Sequence, residues 1–165
     1  DIVAVNVEQV NQLLSRIEDE CLNILPLCSQ TAADLRSVFD VARVNRELAR
    51  ISSLARVIAH QAGILAPGGL PATARDITLM ADLAAAACAR AVRAVLAQNA
   101  GDAHATGEER AMIDGIRDRL STRFEEALQQ PGRQVHALLA GLTVVASLVQ
   151  IGDHTTRIAR VVTGL

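Results

Sequence analysis

The segment most informative about the fold is a long apolar stretch near the end of the chain, VHALLAGLTVVASLVQIGDHTTRIARVV at residues 135–162. Its Leu, Val, Ile and Ala content favours a single helix that runs to about Thr163. Residues 135–152 carry no formal charge and are about long enough to cross a membrane. However, His136, Gln150 and two glycines interrupt the stretch, and it lacks boundaries with flanking arginines and an aromatic belt. We therefore predict a buried helix at the centre of a bundle.

The composition is that of a helical protein with very few aromatic side chains. Of the 165 residues 50% are hydrophobic, with two Phe and neither Tyr nor Trp. Leu, Val, Ile and Ala must therefore fill the core, which argues against a β-sandwich or a β-barrel. All 16 basic residues are Arg, against 18 acidic residues. Without a basic excess or stacking aromatics, the chain lacks the features of a nucleic-acid-binding protein.

Apolar periodicity predicts two helices in the first part of the chain. The first helix covers residues 7–25 and ends at Pro26, and the second starts at a Thr31 cap and reaches about Gly63. The apolar positions expected to face the core from the second helix are Leu35, Val38, Phe39, Ala42, Leu48, Ile51, Leu54 and Ile58. Charges of alternating sign follow another face of it, at Arg36, Asp40, Arg43, Glu47 and Arg50. We interpret this charged ladder as a solvated face.

Three more helices are predicted after a break in the middle of the chain. The segment ILAPGGLPATA, residues 64–74, holds two Pro and two Gly and is the predicted break between two halves. An Ala-rich third helix follows over 75–99, and Thr106 with Glu109 indicates a capping box at the start of the fourth. Pro131 suits the first turn of the last helix. The fourth helix is expected to present Met112, Ile113, Ile116, Leu120, Phe124 and Leu128 to the core.

The two halves repeat one pattern. An offset of 100 positions aligns the second helix with the last one through these pairs: Gln30 and Gln130, Val44 and Val144, Leu48 and Leu148, Ile51 and Ile151, Ile58 and Ile158, Ala59 and Ala159. After a three-residue length change the preceding helices also correspond, Val10, Leu13 and Ile17 matching Ile113, Ile116 and Leu120. The repeated unit is a helix, a short loop and a longer helix, which implies two similar helical bundles.

The repeated segments also resemble a known family. SLVQIGDHTTRIARVV, residues 147–162, resembles the LERIGDHATNIAE signature that closes the second half of PhoU proteins. SQTAADLRSVFDVARVNRELARISSLARVIA, residues 29–59, resembles the PVAxDLR loop of that family and its first-half LERIGD copy. The resemblance implies an all-α fold, a tandem of two three-helix bundles.

This resemblance implies a division of the chain with an incomplete first bundle. Residues 1–65 form a first repeat of two helices, 66–74 connect the halves, and 75–165 form a second bundle of three helices. The first bundle lacks its own first helix, and the chain opens on Asp1 inside an apolar pattern. We therefore expect that a preceding segment is missing from it, because two helices alone leave an apolar seam exposed.

In PhoU proteins the signature carries an E/DxxxD pair that binds metal ions. Carboxylates four residues apart share one helix face, where together they attract a cation. Here the second-half pair falls on Val149 and Asp153, and the first-half pair on Ala49 and Ser53. Asp153 is therefore the single, weak metal candidate, because a lone Asp does not hold a metal at useful affinity. We predict no cofactor, with the metal clusters of the family absent or weakened.

Other polar residues are given ordinary roles. Asp153 and His154 are neighbours that point about 100° apart on a helix, so one ion cannot readily bind both. Asp114 could reach toward Asp153, but a surface position or a hydrogen bond within the bundle is favoured. Polar or helix-capping roles are expected for His60, His104, His136, Asp34 and Arg36. The cysteines have no metal-ligand spacing and are predicted to be small buried side chains in a reducing compartment: Cys21, Cys28 and Cys88.

For function, the resemblance implies a cytoplasmic regulatory adaptor that is not an enzyme. Such proteins couple the ATPase of a phosphate ABC transporter to a sensor histidine kinase and repress the phosphate-starvation response. Such a protein would associate with the membrane only by binding these partners. A homodimer is possible. The sequence contains no nucleophile with its base, no Gly-rich phosphate loop and no paired acids.

Two alternatives belong to other classes. The lost carboxylates fit a PhoU-type regulatory domain of another ion transport system. A metal-dependent enzyme in a helical bundle is the remote alternative, because it requires Glu-x-x-His motifs and the sequence contains none.

Overall fold

The chain is all-α in the residues that the structure, a computed structural model, describes: 2–27, 32–65, 71–129 and 135–164. This part of the chain forms α1 (Ile2–Ile24), α2 (Ala32–Leu65), α3 (Pro71–Ala97), α4 (Ala100–Leu128) and α5 (Val135–Thr163), with a short 3-10 turn at Leu25–Leu27. The predicted fold class is confirmed. Thr31, Cys28 and Pro131 lie outside the described residues, so their predicted roles stay predictions.

The second half is a three-helix bundle in which α3, α4 and α5 all contact one another. Its core joins Met80 of α3 to apolar side chains of α4 and α5, among them Ile113, Leu120, Phe124 and Leu138. Toward one end of α3 the core consists of small side chains, including Ala91, Ala94, Ala103 and Ala159, around Ile158. Small side chains allow close helix approach, so a core with few aromatic residues can still be well packed.

Helix α5 occupies the centre of the structure. It contacts α2 on one side and α3 and α4 on the other. By length and composition it is the one described helix that could cross a membrane, yet 56% of its apolar window is buried inside the protein. The prediction of a buried bundle helix is confirmed. Helix α5 is apolar on several faces because other helices pack against it on more than one side.

Helix α2 connects the two halves. Val44, Leu48, Ile51, Leu54 and Ile58 pack against the core clusters of the second half. Helix α1 packs mainly against α2 and has polar as well as apolar contacts with it. The Asn45 side-chain amide donates to the Leu14 carbonyl at 2.8 Å, and the Ser52 hydroxyl donates to Asn11 Oδ1 at 3.3 Å.

The structure corrects the predicted start of the fourth helix. α4 begins at Ala100, where the Asn99 side chain accepts hydrogen bonds from the backbone N–H of Gly101 and of Asp102. Thr106 is not a cap but a buried residue within the helix, and its hydroxyl donates to the Ala103 carbonyl at 2.6 Å. The glycines of this segment favour a loop by propensity, but burial of small side chains against α3 and α5 overrides that preference.

Several apolar residues expected in the core are exposed. On α2 these are Leu35 and Phe39, and on α4 they are Met112 and Leu128. Leu35 and Phe39 lie near the start of α2, and among the described helices α1 is the one that packs along α2 besides α5. The charged ladder on α2 is likewise only partly a solvated face, because the Glu47 side chain is 12% exposed and contacts α5.

Candidate functional site

The signature segment of α5 presents Asp153 to α4 and not to a second carboxylate. Arg110 Nε donates to Asp153 Oδ1 at 2.9 Å, and Arg110 Nη2 lies 2.8 Å from the same oxygen. Val149, one turn earlier on α5, packs against the apolar core. The two positions that the resemblance associates with metal ligands therefore hold one ion-paired carboxylate and one apolar residue packed against the core.

Arg110 also pairs with Asp114, so a single guanidinium group bridges Asp114 and Asp153, the two carboxylates of this region. Arg110 Nη1 contacts Asp114 Oδ2, and Arg117 Nη1 lies 2.7 Å from Asp114 Oδ1. Burial disfavours the charge on Arg110, but its hydrogen bonds with Asp114 and Asp153 outweigh burial and hold its pKa above the ordinary value. The arginine thus supplies permanently the positive charge that these carboxylates need.

Gly152 makes room for this arrangement. A Cβ at Gly152 would lie 2.7 Å from Arg110 Cδ and 3.4 Å from Ile113 Cδ1. Because atoms that close must shift, a side chain at position 152 would displace Arg110 from its place against α5 beside Asp153. Sequence reasoning missed Arg110, since nothing in its local pattern distinguishes it from other arginines of α4.

The first-half pair has no carboxylate at all. The Ser53 hydroxyl donates to the Ala49 carbonyl of its own helix at 3.1 Å. Across the described residues there is no group of three or more His, Cys, Asp or Glu side chains that could hold a metal ion. Since Asp153 is already paired with Arg110, the residues present do not fit the metal clusters of the family, and the predicted absence of metal stays a prediction.

Ala49 and Ser53 instead line a groove where α2 meets α5. The groove has a volume of about 460 Å³, and its lining consists of Arg46, Ala49, Arg50, Ser53, Leu54, Gln150 and His154. Its polar groups are hydrogen-bond donors for the most part, and two of them are guanidinium groups. This surface is suited to an anion rather than to a cation.

His154 closes one side of the groove and ties the two halves together. Its Nδ1 lies 2.6 Å from Glu47 Oε2, and both side chains are almost buried. Arg157 approaches the same carboxylate oxygen at 3.7 Å. Asp153 and His154 therefore face α4 and α2 respectively, and the structure does not bring them to one ion. Glu47 was missed because its partner is 107 residues away and its spacing matches a surface ladder.

The remaining candidates lie apart from these contacts. His60, His104 and His136 are exposed, and the His60 ring contacts the Gln61 side chain of the same helix at 3.5 Å. Asp34 lies in the first turn of α2, where a carboxylate favours the helix start, and Arg36 is exposed.

Two of the three cysteines are described by the structure. Cys21 is buried, as predicted, and Cys88 is half-buried, and both are free thiols. Burial raises the pKa of the Cys88 thiol above its ordinary value, which makes the thiolate scarce at neutral pH.

Comparison with known proteins gives one consistent result for the sequence and the fold. The PhoU domain model matches residues 2–62 and 77–162, which are the two halves of the repeat. A "Phosphate-specific transport system accessory protein PhoU homolog" of Pseudomonas putida is 25% identical over 156 residues, which cover 94% of this chain and 61% of the relative.

The fold has a match among solved structures. A crystal structure of PhoU from Pseudomonas aeruginosa superposes with a TM-score of 0.90 at 24% identity, covering 97% of this chain and 77% of that one. This likeness establishes the fold, and the family-model match over most of the sequence establishes the kinship. The chain belongs to the PhoU family.

Proposed function

We propose that the chain is the regulatory part of a phosphate-transport accessory protein and acts by binding other proteins. The observation that carries this proposal is the family match, which extends over both halves of the chain. The Pseudomonas putida relative is named as an accessory protein of phosphate-specific transport, and this chain spans 61% of its length. In our proposal the chain couples the ATPase of a phosphate ABC transporter to a sensor histidine kinase and represses the phosphate-starvation response.

We propose no catalytic step for it. Among the described residues, the acid and the base that lie side by side in the signature, Asp153 and His154, are each held by a partner on another helix. Asp153 is ion-paired, and His154 is held by the nearly buried Glu47. We infer that these two side chains fix the positions of the helices and do not react with a substrate. This arrangement supports an adaptor whose helix faces engage its partners.

The proposal includes a division of the chain and a location. Residues 1–65 form an incomplete first repeat, 66–74 connect the halves, and 75–165 form the second bundle. The protein acts in the cytoplasm and reaches the membrane only through the transporter. Homodimerisation is compatible with this role, and nucleic acid has no part in it.

The test is a pull-down with the purified chain as bait and two separate preys, the transporter ATPase and the sensor kinase. We expect saturable capture of at least one of them. Phe124→Asp is the control bait, because a charge in place of this fully buried side chain disrupts the core and must abolish specific capture. Capture of neither prey by the folded chain, or equal capture by the disrupted control, would contradict the proposal.

One observation favours a second candidate function. The carboxylates expected at Val149, Ala49 and Ser53 are all missing, so this chain departs from the metal-binding pattern of its family. A PhoU-type regulatory domain of another ion transport system is consistent with that loss. Binding to neither phosphate-system prey, together with capture of a different transporter subunit, would favour this alternative.

A further inference from the structure

The groove between α2 and α5 contains two arginines whose charges are not compensated within the described residues. Arg46 and Arg50 lie one turn apart on α2, both are exposed, and both line the groove. Neither takes part in the ion pairs found in the part of the chain that the structure describes. Residues four apart on a helix point to one side, so their guanidinium groups can converge on one ligand.

Polar groups from both helices complete the lining. Ser53 lies near the arginines on α2, and α5 contributes Gln150 and the His154 ring. The Glu47 carboxylate beside the groove is engaged by His154 at 2.6 Å and by Arg157 at 3.7 Å. The groove therefore has an excess of positive charge and several hydrogen-bond donors on two helices.

The chemistry of these groups selects for a tetrahedral oxyanion. The planar fork of arginine matches a phosphate group with two parallel hydrogen bonds, which an ammonium group cannot reproduce. Carboxylates at positions 49 and 53 would repel such a ligand, and this chain has Ala49 and Ser53 there. The volume of about 460 Å³ exceeds that of one phosphate ion, so part of a larger phosphorylated molecule also fits.

We propose that the α2–α5 groove binds a phosphate group, carried either by inorganic phosphate or by a small phosphorylated metabolite. Arg46 and Arg50 bind the phosphate oxygens, while the Gln150 amide adds a neutral hydrogen bond. The groove contains residues of both halves, so the bound anion links them. The proposal that phosphate binds depends only on the groove. The further idea that bound phosphate is the signal transmitted by the adaptor depends also on the proposed function.

The test is isothermal titration calorimetry of the full chain in a phosphate-free buffer at constant ionic strength. The two probes are inorganic phosphate and ATP, which separate free phosphate from a phosphorylated metabolite. We expect saturable binding of at least one probe, weakened roughly tenfold or more in Arg46→Ala/Arg50→Ala, because each charged hydrogen bond is strong. The matched control is Arg56→Ala/Arg93→Ala, which removes the same charge from exposed positions outside the groove and must leave binding unchanged.

A second variant keeps both arginines and covers the case in which the double variant fails to fold. Ser53→Asp places a carboxylate in the groove and is expected to weaken binding by a similar factor, while Arg46→Lys/Arg50→Lys retains part of it. Circular dichroism verifies the helix content of each variant. The absence of saturable binding with both probes, or equal losses in the groove variant and the control pair, would overturn the proposal.

The same variants separate this proposal from the adaptor function. If Ser53→Asp weakens phosphate binding while the transporter ATPase or the kinase is still captured, the adaptor function holds and the groove assignment also holds. If neither partner is captured but phosphate still binds, the groove assignment holds and the proposed adaptor function fails.

Discussion

The two halves of the molecule carry the same apolar pattern but bury it very differently. The exposed fractions are 0% for Ile113, 3% for Ile116 and 0% for Leu120 in α4, against 40% for Val10, 55% for Leu13 and 37% for Ile17 at the corresponding positions of α1. In the second half α3 covers the seam between α4 and α5. Among the described residues no helix lies in the equivalent place over α1 and α2. The periodic pattern thus indicates which face is apolar, and the third helix determines whether that face is buried.

The largest expected effect comes from truncating one matched pair of residues. Leu120→Ala should lower the free energy of unfolding by about 2–5 kcal/mol, because it creates a cavity in a fully packed core. Its repeat partner Ile17 is partly exposed, so Ile17→Ala should cost less than about 1 kcal/mol. Urea unfolding followed by circular dichroism measures both. Equal losses would mean that the face of α1 is covered in solution, which would remove the contrast between the halves.

A second effect concerns the contact that joins the halves. Glu47→Ala should cost about 2–4 kcal/mol, since His154 then loses its partner in a nearly buried place. The repeat partner of His154 is Leu54, an apolar residue. The double variant Glu47→Leu/His154→Leu replaces both polar groups with apolar ones and should recover much of the loss. Glu8→Ala on exposed α1 is the control. A double variant as unstable as the single one would contradict the interpretation that His154 and Glu47 mainly satisfy each other as hydrogen-bonding partners.

A smaller effect is expected at Gly152, whose repeat partner is Ser52. Gly152→Ala should lower stability by about 1 kcal/mol, because the new methyl group collides with Arg110 and this outweighs the gain in helix propensity. Gly115→Ala in α4 has open space around it and should instead raise stability by up to about 1 kcal/mol. Thermal unfolding of the two variants measures the difference, and stabilisation by both would show that Arg110 moves aside at no cost.

Much of the fold, and less of the site, could be predicted from the sequence. Apolar periodicity is sufficient to predict that five helices exist, because this signal lies within each helix. The repeat identifies α2 and α5 as equivalent, because their residues match at a fixed offset. The Asn99 cap was missed since the glycine-containing segment that follows it favours a loop by propensity, and only tertiary packing makes it helical. Arg110 and Glu47 were missed because their partners lie 43 and 107 residues away, and a contact at that distance leaves no local pattern.

The smallest expected signal concerns metal at the two signature positions. Elemental analysis of protein purified without chelator should find well under one tightly bound transition metal per chain, because Asp153 is paired with Arg110 and its neighbour one turn away is Val149. Val149→Glu restores the carboxylate pair, but Arg110 still competes for it, so metal binding should stay weak. Val149→Glu/Arg110→Ala removes the competitor and should bind Mn²⁺ more tightly than Val149→Glu alone, as measured by calorimetry. Stoichiometric metal on the unmodified chain would contradict the view that Arg110 takes the place of a metal cation. Equal Mn²⁺ affinity in the two variants would mean that Arg110 does not compete with the metal.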